Sequence, residues 1–172
     1  QFDDARMNVA LIRSAIHHGA VALNYTSVTG FTKDENGKLT GAEITDGTTG
    51  ETYTVNAPAI INATGPFCDA LRELDEPGTP HIVKASSGVH VVLGPEFSPP
   101  ETGLLIPKTE DDRVLFLLPW HGHTLVGTTD NPAAVTEDPV ATEEEIEYIL
   151  RHIRKYFDLP VERSDILSTW SG

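Results

Sequence analysis

The most informative stretch of the sequence is Pro58-Ala59-Ile60-Ile61-Asn62-Ala63-Thr64-Gly65-Pro66. Its apolar part, residues 59–63, predicts a short buried strand, and the small residues after it predict a tight turn. A backbone without bulky side chains can approach a dinucleotide closely. The pattern Gly-x-Gly-x-x-Gly, whose turn receives the pyrophosphate of a dinucleotide at a helix N-terminus, does not occur in the sequence. We therefore interpret the chain as part of a nucleotide-dependent enzyme.

The composition excludes several classes of protein. With 172 residues, 39% of them hydrophobic, the chain can form one ordinary domain or two small lobes with a core. A formal net charge of −14 argues against a nucleic-acid partner, whose phosphates favour a basic surface. The single cysteine, Cys68, excludes an internal disulfide and a cysteine zinc site. The sequence contains no apolar run of the roughly 20 residues that a membrane helix needs, so no membrane-spanning segment is predicted.

The first half of the chain predicts a helix, a meander and a strand. Asp3 or Asp4 is a suitable N-cap for a helix that runs to about His18 and ends at Gly19. Asn-Gly and Asp-Gly pairs predict hairpin turns between the extended runs that follow. Those runs are residues 21–32, 39–45 and 51–55, and after them come the strand 59–63 and a short helix over residues 66–74.

A Pro- and Gly-rich segment, Glu76-Pro77-Gly78-Thr79-Pro80, marks the predicted boundary between a domain of residues 1–78 and one of residues 79–172. After it, residues 81–93 alternate like a strand, and residues 114–118 and 124–128 predict a hairpin. Thr142 and Glu145 form a capping-box pattern that opens a helix ending near Tyr156. Together these signals predict an α+β fold. The apolar positions of the last helix are Ile146, Ile149, Leu150 and Ile153.

Six blocks of sequence, in this order and at this spacing, resemble FAD-dependent glycerol-3-phosphate dehydrogenases, and the mitochondrial type most of all. The Ala-Thr-Gly turn alone is shared by many flavin oxidoreductases, whereas the ordered set covers nearly the whole chain. The blocks are Asp4-Ala5-Arg6-Met7-Asn8, Ile61-Asn62-Ala63-Thr64-Gly65-Pro66-Phe67, Ser87-Gly88-Val89-His90, Phe116-Leu117-Leu118-Pro119-Trp120, Gly127-Thr128-Thr129-Asp130 and Trp170-Ser171-Gly172.

The resemblance implies a fold and an activity. It implies a fragment of a D-amino-acid-oxidase-like FAD enzyme, α+β and derived from an α/β fold. Residues 1–78 would be the C-terminal part of the FAD-binding domain, and residues 79–172 a mainly antiparallel substrate lobe with a helix on one face. Enzymes of this family transfer a hydride from C2 of sn-glycerol 3-phosphate to flavin N5, form dihydroxyacetone phosphate, and pass the electrons to ubiquinone.

The resemblance also implies a location and a limit. It places the protein at the mitochondrial inner membrane, or at the cytoplasmic membrane if the source is bacterial. The glycine-rich FAD segment of the family and the arginine that follows its Ser-Gly pair at Ser171-Gly172 are not in this sequence. We therefore expect a fragment that is inactive by itself and carries no stoichiometric FAD.

Four residues are candidates for contact with FAD by this resemblance. Val28 would lie beside the adenosine, and Ala63, Thr64 and Gly65 would pass near the pyrophosphate or ribose. Larger side chains there would push the backbone away from the cofactor. A buried strand followed by a helix-starting turn would use the same small residues, so this alternative stays open.

His90 is the main candidate for substrate chemistry. Removing a hydride from an alcohol carbon requires a base for the hydroxyl proton, and an imidazole that titrates near neutrality suits that task. In the resembling enzymes a histidine at this place faces the flavin, although a lone strand histidine is also an ordinary core residue. Thr128, Thr129 and Asp130 could orient the histidine or bind substrate hydroxyls, or they could form an ordinary turn.

Two other functions remain open from the sequence. A flavin oxidoreductase acting on an amine or hydroxy acid would keep the Ala-Thr-Gly turn. A non-catalytic interaction module would explain the acidic helix that begins after Thr142. His121 and His123 have no cysteine or carboxylate cluster beside them, so no metal site is predicted.

Overall fold

The computed structural model describes residues 3–172 and divides into two compact units between His81 and Ile82. The division lies close to the Pro- and Gly-rich segment that predicts a boundary after residue 78. The roles assigned to the two predicted domains stay predictions.

The first unit contains two helices and one antiparallel sheet with the order β1-β2-β3. The predicted first helix, the three-stranded meander and the second helix are confirmed. Asp3 caps α1, because its carboxylate accepts a hydrogen bond from the backbone N–H of Arg6 at 2.9 Å. The elements are α1 (Asp4–His17), β1 (Thr26–Lys33), β2 (Leu39–Asp46), β3 (Thr52–Asn56), a 3-10 turn (Gly65–Phe67) and α2 (Cys68–Asp75).

Two predictions for this unit are wrong. Residues 59–63 form no strand, and β1 begins only at Thr26 rather than at Val21. A strand needs a neighbour to complete its backbone hydrogen bonds, and no described residue pairs with these two segments. Ile61 is accordingly 88% exposed. The apolar composition of residues 59–63 marks side chains that favour burial, but it does not show whether a neighbouring strand is present to pair with them.

The apolar face of α1 has no buried residue in the described chain. Its apolar side chains recur at the spacing of one helix face, which is the pattern of a helix that packs against a core. All of them are exposed: Met7, Leu11, Ile12 and Ile16.

The second unit is built on a five-stranded antiparallel sheet with the order β10-β5-β8-β7-β6. The predicted hairpin and capped helix are confirmed, but the strand predicted over residues 81–93 starts at Ser86 and is interrupted at Gly88. The short strands β6 and β10 are not predicted by the sequence patterns. The elements are β4 (Ser86–Ser87), β5 (Val89–Leu93), β6 (Leu104–Ile106), β7 (Leu115–Trp120), β8 (His123–Gly127), β9 (Asn131–Pro132), α3 (Glu143–Phe157) and β10 (Ser168–Ser171).

Helix α3 packs on one face of this sheet and completes a core. Burial of each aliphatic side chain in this core contributes about 1.5–3 kcal/mol, so packing dominates the stability of the unit. Alternate residues of β5 enter the core, and its other side chains therefore belong to the opposite face. The fully buried members include Val89, Val91 and Leu93 of β5 and Ile149, Leu150 and Ile153 of α3.

Candidate active site

The sheet face opposite α3 carries a row of residues that includes His90. Antiparallel pairing places Trp170 and Gly127 on either side of His90, and the row continues through Phe116 to Leu105. Directly opposite residues share a face of a sheet. Trp170 is 44%, Phe116 47% and Leu105 50% exposed. The apolar side chains of the row are therefore about half open to their surroundings, while His90 is half-buried and Gly127 is buried.

The His90 ring is held from two directions. It stacks on Trp170, with ring centroids 5.3 Å apart and an interplanar angle of 16°. It also lies over Gly127, where an added Cβ would approach the ring atoms Cγ and Nε2 to 2.8 Å. Burial lowers the pKa of His90, so the imidazole is neutral at pH 7 and can accept a proton.

A cavity of ≈ 130 Å³ lies on this face beside His90. The side chains around it are apolar except for His90 and the hydroxyl of Thr128. Its lining residues are His90, Val114, Phe116, Leu118, Leu125, Gly127 and Thr128.

The structure separates the three residues of Thr128-Thr129-Asp130. Thr128 lines the cavity beside His90, whereas Thr129 is buried with 2% exposure and does not. The Thr129 hydroxyl accepts a hydrogen bond from Val89 N at 2.9 Å and donates to Glu145 Oε1 at 3.1 Å. Asp130 is exposed and is not part of the cavity lining. Thr129 therefore contacts the strand that carries His90 through the Val89 N–H, and it does not line the cavity.

Glu145 lies at the centre of a buried network that the sequence pattern reveals only in part. As the capping box predicts, its Oε2 accepts a hydrogen bond from the Thr142 N–H at 3.2 Å, and the Thr142 hydroxyl accepts one from the Glu145 N–H at 3.3 Å. The Thr142 hydroxyl also donates to Oε2 at 2.8 Å. Its Oε1 accepts hydrogen bonds from Thr129 and, at 2.9 Å, from Asn131 Nδ2. Burial acts to raise the pKa of Glu145, but the hydrogen bonds from Asn131, Thr142 and Thr129 outweigh it and lower the pKa. Glu145 is therefore an ionised carboxylate at neutral pH.

The small-residue turn in the first unit is held open by Asn62. The Asn62 side chain donates to the Cys68 carbonyl at 3.0 Å and accepts from the Thr64 hydroxyl at 2.8 Å. Gly65 has φ +56°, a conformation that favours glycine, and a Cβ there would meet no atom within 4 Å. Ala63 is exposed. The turn thus leaves Ala63 and Gly65 at the surface, with no neighbouring atom within 4 Å of the position of a Gly65 Cβ.

Val28, the remaining cofactor candidate, lies in β1 of the same unit. It is half-buried and pairs with Ile44, and a bulge interrupts the register between Val28 and Gly30. A bulge redirects the neighbouring backbone. The structure therefore places Val28 at an irregular point of the sheet edge.

Two basic residues of the second unit, Lys108 and Arg113, are already paired with carboxylates. Lys108 contacts Asp112 at 2.6 Å, and Arg113 contacts Asp111 at 3.1 Å. Within residues 3–172, no group of three His, Cys, Asp or Glu side chains could hold a metal ion. The helices of that same range are all too short or too polar to cross a bilayer.

Comparison with known proteins identifies the family. The family model described as FAD dependent oxidoreductase matches residues 1–172. The chain belongs to this family. As a member of this family, it has the mixture of helices and mostly antiparallel sheets described above.

The chain is a homologue of glycerol-3-phosphate dehydrogenases, which confirms the resemblance seen in the sequence. It is 49% identical over 175 residues to the probable mitochondrial enzyme of Caenorhabditis elegans and 44% identical over 179 residues to the mitochondrial enzyme of Bos taurus. All of this chain is covered, but only 24% and 25% of those proteins, so the chain spans about a quarter of their length.

A solved structure is also similar over the whole chain. It is the glycerol-3-phosphate dehydrogenase from Bacillus halodurans complexed with FAD, with a TM-score of 0.92 and 34% identity. The match covers 100% of this chain and 35% of that chain.

Proposed function

We propose that the complete protein containing this chain oxidises sn-glycerol 3-phosphate to dihydroxyacetone phosphate, with FAD as the hydride acceptor and a quinone as the final electron acceptor. The observation that carries the proposal is the neutral imidazole of His90, held over Gly127 on the largely apolar sheet face opposite α3. It occurs in a chain similar along its entire length to a glycerol-3-phosphate dehydrogenase complexed with FAD.

The residues present fit part of an FAD molecule. Trp170 and Phe116, which are half exposed on the same face as His90, offer apolar rings against which a flat ring system would pack. In the first unit, Val28, Ala63, Thr64 and Gly65 would contact the adenosine and the pyrophosphate or ribose. FAD would supply the site that accepts a hydride. The pyrophosphate-binding glycine turn is not in this sequence.

The contribution of His90 is a proton transfer. As C2 of the substrate loses a hydride, its hydroxyl must lose a proton to become a carbonyl, and the unprotonated ring nitrogen of His90 takes that proton. Thr129 supports the strand that carries His90 through its bond to Val89 N. Asp130, the exposed residue that follows Thr129, is proposed to contact the substrate hydroxyls.

The finer assignments follow from the same proposal. Residues 1–78 would form the C-terminal part of the FAD-binding domain, and residues 79–172 the substrate lobe. The mitochondrial names of the relatives support a place at the inner mitochondrial membrane, with the cytoplasmic membrane as the bacterial equivalent. The phosphate of the substrate needs a cation, and the residues that bind it are expected outside this sequence.

Anaerobic titration of the complete holoprotein tests this proposal. One equivalent of sn-glycerol 3-phosphate should bleach the flavin absorbance near ~450 nm and yield one equivalent of dihydroxyacetone phosphate. A 2-hydroxy acid and a primary amine are the controls, and neither should reduce the flavin. Bleaching by either control without bleaching by glycerol 3-phosphate would assign the protein to the other flavin oxidoreductases.

A further inference from the structure

The backbone next to His90 is held on one edge by the sheet and on the other by a side chain. On the β10 edge, Val89 pairs with Ser171, and Gly88 and Gly172 exchange backbone hydrogen bonds at 2.7 and 3.0 Å. The ladder between β5 and β8 ends at the pair His90 and Gly127. Val89, one residue earlier, donates its N–H to the Thr129 hydroxyl at 2.9 Å instead of to a carbonyl. Since a buried backbone N–H without a partner is costly, this bond secures the first residue of β5 on its β8 edge. It therefore contributes to the position of His90.

The Thr129 hydroxyl is in turn oriented by Glu145. A hydroxyl has a single proton, and here it is donated to Glu145 Oε1 at 3.1 Å. The lone pairs of the hydroxyl therefore remain available to the Val89 N–H. A group that donated to Thr129 instead of accepting from it would compete with Val89.

Capping of α3 does not account for Glu145 by itself. A capping box needs contact only with Thr142, which uses Oε2. The second oxygen, Oε1, accepts from Thr129 and Asn131, both in the segment that follows β8. Glu145 is 8% exposed, and such a buried carboxylate persists only when its oxygens are well supplied with donors.

We propose that Glu145 is a positioning residue for His90, acting through the Thr129 hydroxyl on the Val89 N–H that precedes the histidine. The role rests on the proposed function of His90 as the base. It requires no contact between Glu145 and the substrate. It predicts that the charge and acceptor capacity of Glu145, 55 residues after His90 in the sequence, affect proton transfer.

The test uses the complete holoprotein with the variants Glu145→Gln and Thr129→Val. Single-turnover flavin reduction by glycerol 3-phosphate, per bound flavin, should slow by about 10- to 100-fold in both, because a small misplacement of a reacting group has an effect of this size. The Kd for the substrate should change less than the rate. Thr129→Ser, which keeps the hydroxyl, should restore most of the rate.

Thr124→Val is the matched control. Thr124 is a fully buried threonine of β8 whose hydroxyl bonds to the Ser98 hydroxyl at 2.8 Å, so the variant loses a buried hydrogen bond in the same sheet without touching Val89. Its reduction rate should stay near that of the wild type. Equal slowing in Thr124→Val, or a wild-type rate in Glu145→Gln, would overturn the proposal.

Amide hydrogen exchange supplies a measurement that does not depend on activity. The segment with Val89 and His90 should exchange faster in Glu145→Gln and Thr129→Val than in Thr124→Val. If glycerol 3-phosphate fails to reduce the wild-type flavin, the proposed function is wrong, and the exchange rates still decide the link from Glu145 to β5. Unchanged exchange in both variants would show that the link does not exist.

Discussion

His90→Ala is expected to lower the rate of flavin reduction by sn-glycerol 3-phosphate by about 10²–10⁴-fold, the usual contribution of a general base. FAD content should not change, since the imidazole is proposed to act on the substrate rather than to retain the cofactor. Stopped-flow reduction of the complete holoprotein, normalised to bound flavin, measures the effect.

A second histidine of the same unit provides the control for this prediction. His152 is 1% exposed, accepts a hydrogen bond from Glu110 N at 3.2 Å, and is 2.8 Å from the Tyr148 carbonyl. His152→Ala should reduce thermal stability but leave the reduction rate per flavin unchanged. If His90→Ala behaved in the same way, with stability lost and the rate retained, His90 would be a structural residue.

Gly127→Ala is expected to reduce the same rate constant by about 10²-fold, because its Cβ would occupy space that the His90 ring now fills. The ring can swing aside, so the sheet should survive while the base leaves its place. Gly94→Ala is the control, since the Cβ there meets the flexible Glu96 side chain, whose Cδ is 2.5 Å away and which does not line the cavity. A rate for Gly127→Ala equal to that for Gly94→Ala would mean that the position of the ring does not matter.

Local signals predict those parts of the fold that are completed by near neighbours in sequence. The helix capped by Asp3, the meander with its Asn-Gly and Asp-Gly turns, and the helix opened by Thr142 each depend on residues a few positions apart. Residues 59–63 show the limit of such signals. They have the composition of a buried strand, but a strand forms only against a neighbour, and the described chain offers none.

The candidate site was predictable only at the level of residue types. His90 is recognisable because a polar residue on an alternating apolar strand is unusual. Its contacts with Trp170 and Gly127 depend on the pairing of β5 with β10 and β8, and no pattern in the sequence sets that register. Similarly, the capping box predicts a hydrogen bond to one carboxylate oxygen of Glu145. The hydrogen bonds to its other oxygen come from Thr129 and Asn131, which no local pattern connects with Glu145.

The pH dependence of flavin reduction tests the central claim, that His90 takes the substrate hydroxyl proton. Burial lowers the pKa of His90 from its ordinary value of about 6.5, so the base is unprotonated at neutral pH and becomes protonated as the pH falls through the lowered pKa. The substrate phosphate also titrates, with a pKa of about 6, but it does so equally for every variant. The informative quantity is therefore the difference between the profiles of the wild type and His90→Ala at saturating substrate.

We predict that the wild-type rate constant is level at neutral pH and falls about tenfold per pH unit below the pKa of His90. The much lower rate of His90→Ala should lack this acidic limb. An unchanged acidic limb in His90→Ala would contradict the account, because the proton would then be accepted by another group.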